Sequence, residues 1–423
     1  MAAQISRYSS PWSNYFNFLM NLSLLDPFAV AKEYPDTLAQ TLAYGHSTQV
    51  RYSYKGDYLA SGLIDGIILI IDTDTNSTIQ VLRDHTRAIT SLTWSSCGRY
   101  LLSSSKDWKV NLWDLGTCKV IRSYNFEGPV WCSVMNPQNH FQFVAALVDN
   151  DAVFADLENE PKIAKLDTNP LGQPNTVKQS TLTATMTPDS NYIFTGTSKG
   201  WLNVIDTHSL QIVRSLNVCS SNIKNIEISP NCSKLAVNSS DRIIRQYTMP
   251  DTSAPIEDWE FELENRYQDA VNRLQWNALK FNHNSEYMCA STLGATHDVY
   301  IWETGMGSLV KILEGSNDEL LAVDWNYRKC SIVATTMDTG TLFIWSVVIP
   351  QKWSALAPDF EEIEENIDYE EKEDEFDYVD EDDMNKQIEE EGDVIDVIQR
   401  EKVDARGFPF VDSFVIESVP VSE

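Results

Sequence analysis

The chain of 423 residues carries 62 acidic and 32 basic side chains, which gives a formal net charge of −30. Hydrophobic residues make up 43% of it, which suffices for a sizeable core and excludes a wholly disordered chain. A surface this acidic also excludes nucleic-acid binding over the whole molecule, because phosphate contacts need local positive charge.

After an N-terminal extension over residues 1–36, a unit of three short strands recurs along residues 37–350. Seven copies are recognisable, and their ends are 42 to 55 residues apart. The copies are Val50–Asp72, Leu92–Asp114, Ser133–Asp156, Ala184–Asp206, Ile226–Thr248, Leu279–Glu303 and Val323–Ser346. A repeat of about 40–45 residues with strands of alternating polarity is typical of a WD40-type blade, whereas helical solenoids would show 3.6-residue stripes. We therefore predict an all-β fold, a seven-bladed WD40-type β-propeller followed by an acidic, largely disordered C-terminal tail.

The last copy has only three strands before Pro350, so closing the ring requires a strand from elsewhere. We expect the segment Thr37–Ala43 to supply it, which would remove the exposed sheet edges that invite aggregation. The alternative source is Trp353–Leu356, just after the last copy.

The second copy fits the WD-repeat pattern best, with His85, Ser103, Asp107 and Trp113 at the characteristic positions. In such repeats these four side chains form a buried hydrogen-bonded tetrad in which each polar group satisfies the next. A Ser/His/Asp trio would also suggest a hydrolase, but the spacing fits the tetrad and no G-x-S-x-G motif is present.

Other catalytic patterns are missing from the sequence as well. We find no metal-ligand cluster among the six histidines, no Gly-rich phosphate loop and no nucleophile–base pair, so we predict a protein that is not an enzyme and holds neither metal nor cofactor. The seven cysteines are widely spaced without C-x-x-C, which favours a reducing compartment. The longest aliphatic run, Ile67–Ile71, is too short to cross a bilayer, so we expect no membrane partner.

Residues 351–423 form the acidic tail, and Asp359–Arg400 alone has 21 acidic and three basic residues. Apolar residues recur among its carboxylates: Ile363, Ile367, Tyr369, Phe376, Tyr378 and Val379. Acidic segments with spaced apolar anchors commonly become ordered on a basic partner groove, so partner binding is favoured over a purely solubilising tail. Further apolar clusters follow at Asp393–Ile398 and Phe408–Val419.

Several stretches together resemble a known family. They include MNLSLLDPFAV from Met20, SSSKDWKVNLWD from Ser103, GTSKGWLNVID from Gly196 and, most specifically, WSALAPDFEEIEENIDYEEKEDEFD from Trp353 to Asp377. With seven repeats, the chain resembles the propeller subunit of the COMPASS histone methyltransferase complex, the retinoblastoma-binding-protein-five family and its fungal counterpart. The likeness runs from Met20 to about Asp377.

This resemblance implies a nuclear, non-catalytic scaffold. It would join a SET-domain histone methyltransferase to a SPRY-domain subunit and to a second WD-repeat propeller, in a complex that methylates lysine 4 of histone H3. S-adenosylmethionine and catalysis would then reside on the partner. The alternatives are a WD-repeat adaptor of a ubiquitin ligase and an acidic histone-binding chaperone.

The resemblance also implies roles for tail residues. Activation of the SET domain falls to Trp353–Glu365, with Trp353, Ser354, Leu356, Pro358 and Phe360 as the expected contacts. The SPRY groove would take Asn366–Asp377, and the expected binding residues are Ile367, Tyr369, Glu370, Glu371, Glu373, Asp374, Phe376 and Tyr378. The second propeller would bind an Asp-Val motif, either Asp393–Val394 or Asp396–Val397.

One propeller face is expected to touch nucleosomal DNA through its phosphates. In a WD propeller, the tight turn after the second strand and the loop leading into the next blade lie on the same face. Six bases fall at such places: Arg87, Lys106, Lys199, Lys224, Arg242 and Arg273. A local basic rim binds phosphates without reading bases, and family members do sit on nucleosomes. Arg242 and Arg273 are expected to be close, although ordinary surface charge or pairing of Arg242 with Asp241 is the alternative.

Overall fold

The computed structural model describes residues 32–159, 161–171, 179–250, 259–269, 272–294, 298–316, 318–347 and 414–416. The residues predicted to bind the SET domain, the SPRY subunit and the second propeller all lie outside these ranges. The sites discussed below therefore belong to the propeller and to Phe414–Ile416.

The described residues form antiparallel strands, four to each blade. The strands are β1 (Thr37–Leu42), β2 (Ser47–Tyr52), β3 (Tyr58–Leu63), β4 (Ile67–Asp72), β5 (Thr78–Arg83), β6 (Ile89–Trp94), β7 (Tyr100–Ser105), β8 (Lys109–Asp114), β9 (Lys119–Asn125), β10 (Val130–Met135), β11 (Gln142–Leu147), β12 (Val153–Asp156), β13 (Lys162–Lys165) and β14 (Thr181–Met186). They continue as β15 (Tyr192–Thr197), β16 (Trp201–Asp206), β17 (Ile212–Asn217), β18 (Ile223–Ile228), β19 (Lys234–Ser239), β20 (Ile244–Thr248), β21 (Leu263–Tyr267), β22 (Gln275–Phe281), β23 (Tyr287–Leu293), β24 (Val299–Glu303), β25 (Leu309–Leu313), β26 (Leu320–Asn326), β27 (Ser331–Thr336) and β28 (Leu342–Ser346).

Seven four-stranded sheets result, which confirms the predicted seven-bladed propeller. Blades 1 to 6 take β2–β5, β6–β9, β10–β13, β14–β17, β18–β21 and β22–β25, and blade 7 takes β26–β28 with β1. The third strand of each blade ends at the residue where the corresponding sequence copy was predicted to end. Alternating polarity and turn chemistry were therefore sufficient to place these strands.

The ring closes through the N-terminal strand. β1 pairs antiparallel with β28, with Thr37 opposite Ser346 and Leu42 opposite Leu342, so the prediction for Thr37–Ala43 is confirmed. Blade 1 is also tied to blade 7 by the Arg51 guanidinium, which lies 3.0 Å from the Asp324 carboxylate. The backbone N–H of Tyr52 donates to the same carboxylate at 2.7 Å. Sheet pairing and a part-buried ion pair thus both hold the joint.

The core lies between neighbouring blades. Leu102 and Val110 of blade 2, for example, share one buried cluster with Met135 and Phe143 of blade 3. The second strand of each blade is almost wholly buried, whereas outer strands such as β9 are largely exposed. Each blade therefore stabilises its two neighbours by burying apolar surface against them.

Tight turns between the second and third strands pack against the loops that lead into neighbouring blades. A Cβ added to Gly66 would clash with the backbone of His85, and one added to Gly200 would clash with the backbone of Cys219. Both glycines have positive φ, +84° and +77°, so glycine suits both the conformation and the close approach. We call the face that carries these turns and loops the turn face.

Phe414–Ile416 returns to the propeller and packs against blades 1 and 2. Ile416 is buried, with 4% of its surface exposed, in the apolar cluster that these two blades share. Residues 351–423, predicted to be entirely tail, therefore include a short segment near their end that packs on the propeller. Within the described ranges, no helix is long and apolar enough to span a membrane.

Candidate functional site

The four residues predicted as a tetrad form one hydrogen-bonded chain. His85 Nδ1 lies 2.9 Å from Asp107 Oδ2, and His85 Nε2 lies 2.8 Å from Ser103 Oγ. The indole N–H of Trp113 donates to the same Ser103 oxygen at 2.8 Å. Ser103 is fully buried and engaged by both neighbours, so it is not placed to act as a nucleophile. The arrangement supports the structural interpretation of the trio rather than the hydrolytic one.

The Asp107 carboxylate is held in its ionised form. Burial alone would raise its pKa, but the His85 imidazole and the backbone N–H groups of Lys109 and Thr86 outweigh burial and lower the pKa below its usual value. Those N–H groups lie 3.0 and 3.1 Å from its oxygens. The tetrad therefore depends on a charged carboxylate at the tight turn.

A pH dependence follows for Asp107→Asn. Because folding lowers the pKa of Asp107, its contribution to the free energy of unfolding is complete above the unfolded pKa of about 4 and is lost as pH falls through the lower folded pKa. We expect the variant to lose about 1–3 kcal/mol of unfolding free energy at pH 7, with the difference shrinking in acid. Urea unfolding at several pH values measures this. Asp65→Asn is the matched control, since Asp65 is exposed at the same turn position of blade 1; an equal loss in both variants would contradict the assignment.

Five of the six predicted rim bases are exposed: Arg87, Lys106, Lys199, Arg242 and Arg273. The backbone N–H of Lys106 donates to the Ala88 carbonyl at 3.0 Å, which holds its turn beside the loop of Arg87. The indole N–H of Trp276, three residues beyond Arg273, donates to the Arg242 carbonyl at 3.1 Å. The turn of blade 5 thus contacts the start of blade 6. This contact agrees with the expectation that Arg242 and Arg273 lie close together.

Lys224 differs from the other five. β18 begins at Ile223, so Lys224 lies inside the strand rather than ahead of it. Its ammonium lies 3.4 Å from the Trp276 carbonyl oxygen, and burial lowers its pKa. The side chain is therefore directed between blades 5 and 6, and we correct its placement on the rim.

Asp241, the alternative partner considered for Arg242, is paired with Arg245 instead. Asp241 accepts from Arg245 Nη2 at 2.5 Å and also from the Ser239 hydroxyl. The carboxylate beside Arg242 is thus engaged by a different guanidinium, while the Arg242 side chain points to solvent. Its charge is consequently open to an anionic partner.

Trp108 is a turn-face residue that the sequence patterns did not single out. It occupies the turn position taken by Gly66 in blade 1 and Gly200 in blade 4, with φ of 75°, and 45% of its surface is exposed. Arg242, with φ of 73°, holds this position in blade 5. A bulky residue in the left-handed region costs backbone strain that glycine at the same position avoids. Aligning the turns of the repeats would have revealed Trp108, since Arg242 was already singled out as a turn base.

The described part of the chain places no group of three or more His, Cys, Asp or Glu side chains to hold a metal ion. All seven cysteines are free thiols. What the propeller offers chemically is therefore surface: a basic rim, exposed aromatic side chains and grooves between blades.

Seven four-stranded blades and the His85 tetrad define a WD40-repeat propeller, and the profile of the family "WD domain, G-beta repeat" matches residues 76–114. The chain is 43% identical over 406 residues to the COMPASS component SWD1 of Saccharomyces cerevisiae, which covers 92% of this chain and 95% of that protein. It is 42% identical over 356 residues to the Set1 complex component swd1 of Schizosaccharomyces pombe, covering 82% and 88%.

More distant relatives agree. The Drosophila melanogaster retinoblastoma-binding protein 5 homolog is 32% identical over 355 residues, covering 82% of this chain and 70% of that protein. The crystal structure of the Myceliophteria thermophila Cps50 (Swd1) β-propeller domain superposes with a TM-score of 0.71 at 38% identity, covering 74% of this chain and all of that one. The chain belongs to the Swd1/retinoblastoma-binding protein 5 family of WD40-propeller COMPASS components, which confirms the resemblance seen in the sequence.

Proposed function

We propose that this COMPASS component is a nuclear, non-catalytic scaffold in a complex that methylates lysine 4 of histone H3. It links the SET-domain catalytic subunit to the SPRY-domain subunit and to a second propeller. The observation that carries the proposal is the 43% identity to a COMPASS component over 92% of the chain, a span that exceeds the propeller itself. The proposal that the protein is not a catalyst is supported by the tetrad, because Ser103 is buried and hydrogen-bonded to both His85 and Trp113.

The stretch Trp353–Phe360 is proposed to act on the SET domain and not merely to tether it. In the sequence, Trp353 and Phe360 lie on either side of Pro358. A proline ring restricts backbone rotation, and aromatic side chains supply large contact surfaces for a partner. A segment that binds the active arrangement of a mobile domain more tightly than other arrangements raises the population of the active one. Activation would then rise without any catalytic residue from this chain.

Affinity purification of the tagged chain from its own cells, followed by mass spectrometry, tests the proposed function. We expect a SET-domain methyltransferase, a SPRY-domain protein and a second propeller, and we expect the purified assembly to methylate lysine 4 of histone H3. Recovery of a cullin adaptor, or of histones without a methyltransferase, would contradict the proposal and support an adaptor or a chaperone instead.

The tail offers a sharper prediction for the SPRY partner. Phe376→Ala should weaken that pair by about 2 kcal/mol, because buried aromatic anchors dominate interface energy. Glu373→Gln should cost well under that, since rim charges mainly set association rate and salt dependence. Isothermal titration at low and high salt compares the two. A larger loss from the glutamate change would reverse the division of roles.

The turn face is proposed to contact nucleosomal DNA. Its five exposed bases come from turns and loops of several blades. They place positive charge on one face of a protein whose net charge is strongly negative. Contacts of this kind position a protein on the phosphate backbone without sequence readout. Charge reversal at Arg242 and Arg273 is therefore expected to weaken nucleosome binding.

A further inference from the structure

Ile416 enters a groove between blades 1 and 2. Its side chain joins a buried cluster that includes Leu82 of blade 1 and Trp113 and Leu115 of blade 2. Its backbone N–H donates to the Tyr58 hydroxyl oxygen at 3.2 Å. The segment is therefore held by an apolar side chain and by one main-chain hydrogen bond.

Phe414 occupies a second position in the groove. The Arg99 guanidinium carbon lies 5.8 Å from the centroid of the Phe414 ring and 5.4 Å from that of Tyr100. Two hydrogen bonds to Asp114, at 2.8 and 2.9 Å, fix that guanidinium. A Cβ on Gly116 would lie 3.1 Å from Phe414 Cζ, so glycine leaves room for the ring.

Val415, between them, is 72% exposed. Side chains that alternate between groove and solvent are what an extended peptide presents. Phe414 and Ile416 are thus two anchors separated by one exposed residue, and together they define a short linear motif, Phe-x-Ile. Extended peptides are commonly recognised in this way, through alternate side chains.

Tyr58 belongs to a set of equivalent tyrosines, one at the start of the second strand in each of four blades. Tyr58, Tyr100, Tyr192 and Tyr287 stand opposite Asp72, Asp114, Asp206 and Glu303, respectively. Tyr100, Tyr192 and Tyr287 each have an aromatic neighbour. The distances between ring centroids are 4.1 Å for His140 and Tyr100, 4.7 Å for Trp259 and Tyr192, and 5.3 Å for Tyr34 and Tyr287.

Those three neighbours come from segments close in sequence to propeller strands. The segment at Tyr58 instead follows 66 residues after Val347, beyond the acidic anchors. Three residues bury little apolar surface, while ordering them costs a free energy of comparable size, so a contact this small exchanges readily.

We propose that the groove between blades 1 and 2 is a reversible docking site for a Phe-x-Ile motif, and that Phe414–Ile416 of this chain occupies it. While the motif is docked, the groove is closed to any other peptide. When it is released, the groove is free for the same motif supplied from outside. This inference does not depend on the proposed function.

A labelled peptide of residues 412–418, DSFVIES, tests the proposal against the full-length protein. The double variant Phe414→Ala/Ile416→Ala, whose groove is empty, should bind the peptide about tenfold more tightly than wild type. The reason is that the tethered segment competes at an effective concentration in the millimolar range. Peptides carrying Phe414→Ala or Ile416→Ala should lose binding, whereas the Val415→Ala peptide is the matched control and should keep it.

Gly116→Val, added to the double variant, should abolish peptide binding, because a Cβ at this position would lie closest to the Phe414 ring, at 3.1 Å. Backbone strain is not expected, since φ at Gly116 lies outside the left-handed region. In single variants of the full chain, hydrogen exchange of the Ile416 N–H, which donates to Tyr58, should quicken for Gly116→Val and Tyr58→Phe but not for Val415→Ala. Equal peptide affinity for wild type and the double variant, or equal damage from all three alanine peptides, would overturn the proposal. Unchanged exchange in Gly116→Val would do so too.

Discussion

A chain carrying Trp113→Ala is expected to lose about 4 kcal/mol of unfolding free energy, within the range for buried aromatic residues replaced by alanine. Trp113 is 2% exposed and packs in the cluster that joins blades 1 and 2. Its indole also donates to Ser103, so the change removes a buried hydrogen bond along with the apolar contacts. Two adjacent blades lose part of their shared core at once.

The control for this experiment is Trp108→Ala, five residues earlier in the same blade. Trp108 is almost half exposed and sits in a strained turn, so its removal should cost less than about 1 kcal/mol. Denaturant unfolding followed by circular dichroism compares the two variants without relying on tryptophan fluorescence. Equal losses of unfolding free energy would mean that neither the burial of Trp113 nor its hydrogen bond in the tetrad adds to the cost of removing a tryptophan side chain.

Much of the fold was predictable because each blade repeats its own local chemistry. The strand ends at Asp72, Asp114 and Asp206 follow from alternating polarity and turn residues, which are local properties. The closing strand β1 was predictable for a different reason. A ring with one strand too few must borrow one, and Thr37–Leu42 was the suitable segment ahead of the first copy.

The misplacement of Lys224 came from a strand boundary. The sequence pattern predicts that the fifth copy starts at Ile226, but its first strand begins at Ile223, and those three residues move Lys224 from a loop into the sheet. Boundaries are the least certain part of any pattern, because strand ends are set by pairing with neighbours rather than by local sequence. Arg273 was unaffected, since β22 begins only at Gln275.

The docking of Ile416 was not predictable from the sequence. The apolar cluster Phe408–Val419 was visible, but three residues carry no periodicity, and their partner Tyr58 lies 358 residues away. The groove exists only once blades 1 and 2 stack on each other. Long-range contacts of this kind depend on tertiary structure alone, so local patterns cannot indicate them.

The double variant Arg242→Glu/Arg273→Glu should weaken nucleosome binding by the assembled complex on the order of tenfold or more. Both side chains are exposed on the turn face, and the Trp276–Arg242 hydrogen bond brings their loops together. For every phosphate that the variant no longer neutralises, the slope of log affinity against log salt should fall by about 0.9. The weakening should also be uniform across DNA sequences, because phosphates carry no base information.

Lys119→Glu/Arg214→Glu is the matched control, since it changes the net charge equally. Lys119 follows the β8–β9 turn, opposite the turn face, and Arg214 lies on the outer strand β17, and both are exposed. Nucleosome titrations at several salt concentrations should leave this control close to wild type. If both double variants lost affinity equally, total charge rather than the turn face would govern binding. If neither lost affinity, the turn face would not contact DNA.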